Sequence, residues 1–245
     1  MQSARPFAVQ EGAGPQPDTP RKKGVSRFVE LLGRDLGSMF KSGLLALAAC
    51  LPAGLLVCLA LLAESLPLVL LAAAAAGWLT GPAMTGLYDT ILRALRDEPG
   101  NWWHTYRRVW KRSFRSSLLP GIAFTALWSC LLYAWLAAAP ADPLLLSAVC
   151  LTACSLYFWL QSALFENSSA QKLENCLRMA VGFLPRTLAA VAVQLLYLFI
   201  LPRLGFFGLL TGLWLPSLIA LMIVYPPLEH ALDLEAKIRQ AQTNR

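Results

Sequence analysis

Long apolar runs separated by isolated charges set the pattern of this chain. Lys41 to Glu64 encloses 22 uncharged residues, Glu64 to Asp89 encloses 24, and Arg115 to Asp142 encloses 26. Asp142 to Glu166 encloses 23, Arg186 to Arg203 encloses 16, and Arg203 to Glu229 encloses 25. A helix crosses a bilayer with about 20 apolar residues at ~1.5 Å each. Five of the stretches reach that length alone. The shortest reaches it when Val181 to Leu184 extends it, with Arg186 snorkelling to the surface. The pattern predicts an all-α, polytopic membrane protein with six transmembrane helices, near 42–63, 66–87, 117–139, 143–165, 183–202 and 205–226.

A different period runs between spans two and three. Residues 101–115 read NWWHTYRRVWKRSFR, after a Pro99-Gly100 turn and with Asn101 placed to cap. At 100° per residue, Trp102, Trp103, Tyr106, Val109, Trp110 and Phe114 share an arc of about 140°. His104, Arg107, Arg108, Lys111, Arg112 and Arg115 take the opposite arc. Such a helix is expected to lie along the inner membrane surface, its cations toward anionic inner-leaflet lipids. A docking surface for a partner protein is the second reading. A weaker amphipathic segment, with Phe28, Leu31, Leu32, Met39 and Phe40, runs from 26 to 41 into span one.

Composition removes the other classes. Hydrophobic residues make up 57% of the chain and charged ones 14%, against about 25% charged in soluble domains. Residues 1–24, rich in Pro, Gly and Gln, read as a disordered cytoplasmic tail without a signal peptide; 25–235 form the membrane domain and 236–245 a second tail. The net charge of +7 is not spread evenly. Twenty of the 21 Lys and Arg residues fall on one side of the threaded chain, and Arg203 alone falls on the other. Basic residues mark cytoplasmic loops, so both termini are placed in the cytoplasm and nucleic acid is set aside as a partner.

Little in the spans carries chemistry. None but the fifth, through Arg186, holds an ionisable side chain at depth, which argues against a pump that uses a membrane carboxylate. Gln161 and Gln194 read as interhelical hydrogen-bonding groups. The six cysteines form no C-x-x-C pair and read as packing residues. Thr80-Gly81-Pro82-Ala83 predicts a helix break, and broken helices line substrate sites in transporters, so Gly81, Pro82 and Arg186 form a candidate permease site. Asp89, Glu166, Glu229 and His230 are the residues a lipid-acting enzyme would have to use. No nucleophile–base set, phosphate loop, metal-ligand spacing or cofactor motif occurs.

Several strings, taken in order, resemble the YesL-type family of bacterial integral membrane proteins. They are Arg27-Phe28-Val29-Glu30-Leu31-Leu32-Gly33-Arg34, Gly81-Pro82-Ala83-Met84-Thr85-Gly86-Leu87-Tyr88, the aromatic-basic helix, Asn175-Cys176-Leu177-Arg178 with Leu184-Pro185-Arg186-Thr187, and Tyr225-Pro226-Pro227-Leu228-Glu229. The resemblance covers roughly 26–235 and implies a bacterial plasma-membrane protein encoded near carbohydrate uptake systems, with no catalytic residues to carry over. The expected function is that of a non-enzymatic accessory partner of transporter or sensor subunits, with a small permease as the alternative.

Overall fold

A computed structural model describes residues 24–98, 101–137, 142–165 and 168–243, with side chains as far as Glu229. The described residues form seven helices: α1 Val25–Leu62, α2 Leu66–Leu95, α3 Trp102–Ala137, α4 Asp142–Leu164, α5 Ser169–Gly182, α6 Leu184–Thr211 and α7 Trp214–Thr243. The all-α architecture is as expected. The tail at 1–23 and Glu166 lie outside the described residues, as does the side chain of His230. Residues 236–243, expected as tail, continue α7 as helix.

Five helices, α1 to α4 and α6, are long and apolar enough to cross a membrane. Their outward faces are apolar: Leu62 is 82% exposed, Leu119 73% and Phe199 72%. Water-soluble surfaces do not carry so many large apolar groups together. Five such helices with apolar outward faces are compatible with a multi-pass membrane protein.

The elements differ from the expected ones where local signals were read as boundaries. No break separates the amphipathic segment at 101–115 from the span beginning at 117. Both belong to α3, whose 36 residues extend ~54 Å. Ser113 donates to Val109 O (2.7 Å) and Ser117 to Ser113 O (2.6 Å), so these hydroxyls are satisfied on the helix itself. Pro120 cannot donate to Ser116 O; Ser169 Oγ donates to that carbonyl instead, at 3.3 Å. Residues 26–41 run into span one as expected, as the first part of α1.

The expected break at Gly81-Pro82 is absent, because α2 is continuous through it. The extension of span five through Val181 to Leu184 is also replaced. Helix α5 ends at Gly182 and α6 starts at Leu184, with Pro185 in its first turn. Helix α6 gains its length at the other end, passing Pro202 and Arg203 to a sharp turn at Gly205 (φ 55°, ψ −132°). Glycine takes such a conformation with the least cost. Tyr197 OH donates to Gly208 O at 3.1 Å. In a straight helix these residues would stand ~16 Å apart along the axis, so residues 206–211 fold back on the preceding turns. The stretch expected as span six is therefore divided, and the apolar part of α7 is the shorter Trp214–Glu229.

Helix α2 is the centre of the packing. Its most extensive contacts are with α3 and then with α1, and it also meets α4 and α7. The core joins Leu31 and Met39 of α1, Leu87, Ile91 and Leu92 of α2, Leu156 and Leu160 of α4, and Leu218 and Leu221 of α7. Helix α5 starts with a capping box between Ser168 and Gln171.

Candidate functional site

The α2–α3 crossing is built on small residues at every fourth position. Helix α2 presents the buried Ala73, Gly77, Gly81 and Thr85, and α3 presents the buried Ser113, Ser117 and Gly121 followed by the half-buried Thr125. A Cβ on Gly81 would lie 2.0 Å from Ser117 O, and one on Gly121 would lie 2.7 Å from Gly81 N. The two backbones touch, as small-residue helix pairs do in membranes. Thr80 and Thr125 link their hydroxyls across the same crossing at 3.0 Å. Gly81 and Pro82 thus lie in a closed helix–helix contact.

The same contact sets the amphipathic half of α3. Asn101 caps it as expected, accepting from Trp103 N at 3.1 Å. Its aromatic side packs partly against protein. Tyr106 and Val109 are buried, and the Tyr106 ring fills the space a Cβ on Gly86 would need. Trp110 lies 5.9 Å from the Tyr106 ring, Phe114 meets Trp78 edge-on at 6.1 Å, and Lys41 Nζ sits 5.6 Å over Trp102. Trp103 is exposed. Arg107, Arg108, Lys111, Arg112 and Arg115 are all exposed as well. The predicted interface residues therefore divide: the buried Tyr106, flanked by the half-buried Trp102, Trp110 and Phe114, holds the helix, while Trp103 and a row of cations are exposed.

A charged clasp holds the neighbouring helix ends. Helix α2 stops in a Schellman turn: Glu98 N donates to Arg93 O and Asp97 N to Ala94 O, with Asp97 at φ 61°. Arg27 of α1 donates to both Asp97 oxygens (2.9 and 2.8 Å) and to Leu95 O (3.1 Å). Arg34 donates to Asp97 and to Ala94 O (2.9 Å). Two guanidiniums thus cover the open carbonyls and the negative end of α2. Burial alone would raise the Asp97 pKa; the hydrogen bonds from Arg34 and Arg27 outweigh it and hold the carboxyl below the usual carboxylate range. Two turns inside, the buried Asp89 accepts from Arg93 at 2.7 Å.

Two interior polar groups tie the remaining helices. Gln161 of α4 donates to Lys172 O (3.2 Å) and Cys176 Sγ (3.4 Å), and Lys172 Nζ donates to Ser162 Oγ (3.3 Å). Tyr157 and Thr187 join α4 to α6 at 2.7 Å. Gln194 of α6 and Ser217 of α7 lie beside the Tyr88 side chain of α2. The interhelical reading is met at Gln161, whose amide joins α4 to α5. Arg186 lies at the exposed start of α6, on a different element from Gly81 and Pro82. Among the described residues, no group of three or more His, Cys, Asp or Glu could hold a metal ion.

The pattern of charges and spans contained no sign of one further feature. An apolar groove of about 850 Å³ runs between α3 and α4 and is closed at one end by α5. Leu119, Phe124 and Leu127 line it from α3, Cys150 and Phe158 from α4, and Leu173 from α5. Its signal was available only as helical spacing shared by two separate spans, which a linear reading does not bring together. No family model, curated protein or solved structure matches this chain.

Proposed function

We propose that this chain is a non-enzymatic accessory protein of a transport or sensing system in a bacterial plasma membrane, related to the YesL-type proteins and acting beside carbohydrate uptake. Both termini lie in the cytoplasm, which makes α7 the sixth crossing. The observation that carries the reading is the basic half of α3. It is continuous with a spanning helix and anchored through Tyr106 on Gly86, and it turns Arg107, Arg108, Lys111, Arg112 and Arg115 outward. A rigid row of cations beside a membrane suits an acidic face of a partner subunit, since charge complementarity selects and steers partners. A permease would need a route between helices, and its proposed entrance at Gly81-Pro82 is filled by Ser117 and Gly121.

Crosslinking in native membranes, purification in mild detergent and mass spectrometry of the recovered complex test this reading. Stoichiometric recovery of transporter or sensor subunits is expected. Replacing Arg107, Arg108 and Lys111 together by Gln is expected to abolish that recovery while the chain stays folded in the membrane. Recovery of the chain alone overturns the accessory reading and turns the question to uptake by proteoliposomes.

A further inference from the structure

The α3–α4–α5 groove lies on the spanning surface. Its walls are leucine, phenylalanine, cysteine, alanine and proline side chains, with Ser147 and Ser169 as its few polar groups. From Leu119 to Leu131, the groove follows α3 for about 18 Å, close to one leaflet of a hydrocarbon core ~30 Å thick. Its volume falls in the range of roughly 300–1,000 Å³ typical of small-molecule sites. No glycine lines the walls, in contrast to the Gly81–Gly121 contact that lets the α2 and α3 backbones touch.

One end of the groove is polar and cationic. Ser169, at the start of α5, donates to Ser116 O. Arg115 stands one turn before Leu119 on α3, and Arg112 one turn before Ser116; both are exposed. Residues four apart on a helix are neighbours on its surface. An apolar slot one leaflet deep, with Arg112 and Arg115 one turn beyond its polar end on α3 and Arg112 also within electrostatic reach of Asp89, matches one molecular class in shape and charge. We propose that this groove holds an acyl chain of an anionic glycerophospholipid, with the headgroup phosphate beside Arg112 and Arg115. The lipid would fill the space between α3 and α4 and stiffen the spanning part of the helix whose basic half faces a partner. This inference rests on the membrane placement proposed above.

Native mass spectrometry of the full chain in mild detergent, with dioleoyl phosphatidylglycerol or dioleoyl phosphatidylcholine added, is the test. Wild-type protein is expected to retain one phosphatidylglycerol per chain, with about a tenfold preference over phosphatidylcholine, the order expected from one or two nearby cations. Ala123→Trp, at an exposed position on the groove wall, should remove the retained lipid. Leu127→Trp serves the same purpose if the first variant fails to fold. Arg115→Gln should keep a bound lipid and lose most of the headgroup preference. Equal retention of both lipids by wild type overturns the proposal. Unchanged retention in a folded groove-filling variant overturns it too, and so does a second protein chain found in the groove. Carbonate extraction separates this from failure of the membrane placement: a chain that stays in the membrane but keeps no lipid refutes the groove site alone.

Discussion

Gly81 and Asp97 carry more of the architecture than their size suggests. A methyl group on Gly81 would meet the Ser117 carbonyl oxygen at 2.0 Å, and that atom belongs to a helix backbone that cannot yield locally. Gly81→Ala is expected to destabilise the protein by about 1–3 kcal/mol, the usual range for overpacking. Gly33 has open space around its Cβ position, so Gly33→Ala should be neutral or stabilise by up to ~1 kcal/mol through helix propensity. Thermal melting of the two variants side by side in one detergent checks the pair. For Asp97 the sign follows from its lowered folded-state pKa. Its contribution is complete above the unfolded carboxylate value, near ~3.9, and is lost as pH falls through the lower folded value. Wild-type stability should therefore drop at acid pH by more than that of Asp97→Asn, measured as the melting temperature across the acid range. Neither residue's role could be read from its neighbours in the chain: Gly81 beside a proline looks like a break, and Asp97 looks like a solvated loop charge. The small residues Gly77 and Gly81 on one helix, and Ser117 and Gly121 on the next, do announce close approach once the four-residue spacing within each pair is noticed.

At the scale of elements, helix α3 shows what amphipathic periodicity can say. Along 102–115 the structure buries Tyr106 and Val109 and exposes the cations, but it also exposes Trp103 of the expected aromatic arc, and Asn101 caps where its position indicates. Periodicity measures the polarity of a face and is blind to whether lipid or protein covers it. Here a neighbouring helix covers Tyr106, so Tyr106→Ala should cost about 3 kcal/mol, in line with other buried aromatic truncations. Tyr106→Phe should be close to neutral, because its hydroxyl reaches Ala83 O only at 3.4 Å. Chemical or thermal unfolding of both variants measures this, and an equal loss in the two would place the hydroxyl, rather than the ring, at the centre of the contact. Helix α5 escaped the pattern because it is short and its mean polarity is that of a loop. Its capping box, Ser168 with Gln171, was the available signal.

The whole molecule is a membrane bundle centred on α2, with its charged clasp and its basic row at the ends where α1 begins and α2 stops. A reporter enzyme active only outside the cytoplasm, fused after Arg245, should be silent, and one fused in the turn at Glu64-Ser65 should be active. Activity of the first fusion would move the C-terminus across the membrane and remove α7 as a crossing. Membrane residence and all-helical class were legible from charge-free length, because the hydrocarbon core selects long apolar helices and tolerates no unpaired backbone. Basic-residue asymmetry supplied the expected orientation by the same kind of local physics. Packing partners were a different matter. The closed crossing at Gly81, the two arginines on the end of α2, the reversal at Gly205 and the groove beside α4 all depend on residues far apart in sequence meeting in space. Hydropathy is a property of each segment and survives in the linear chain; contact is a property of pairs, and only the tertiary structure decides it.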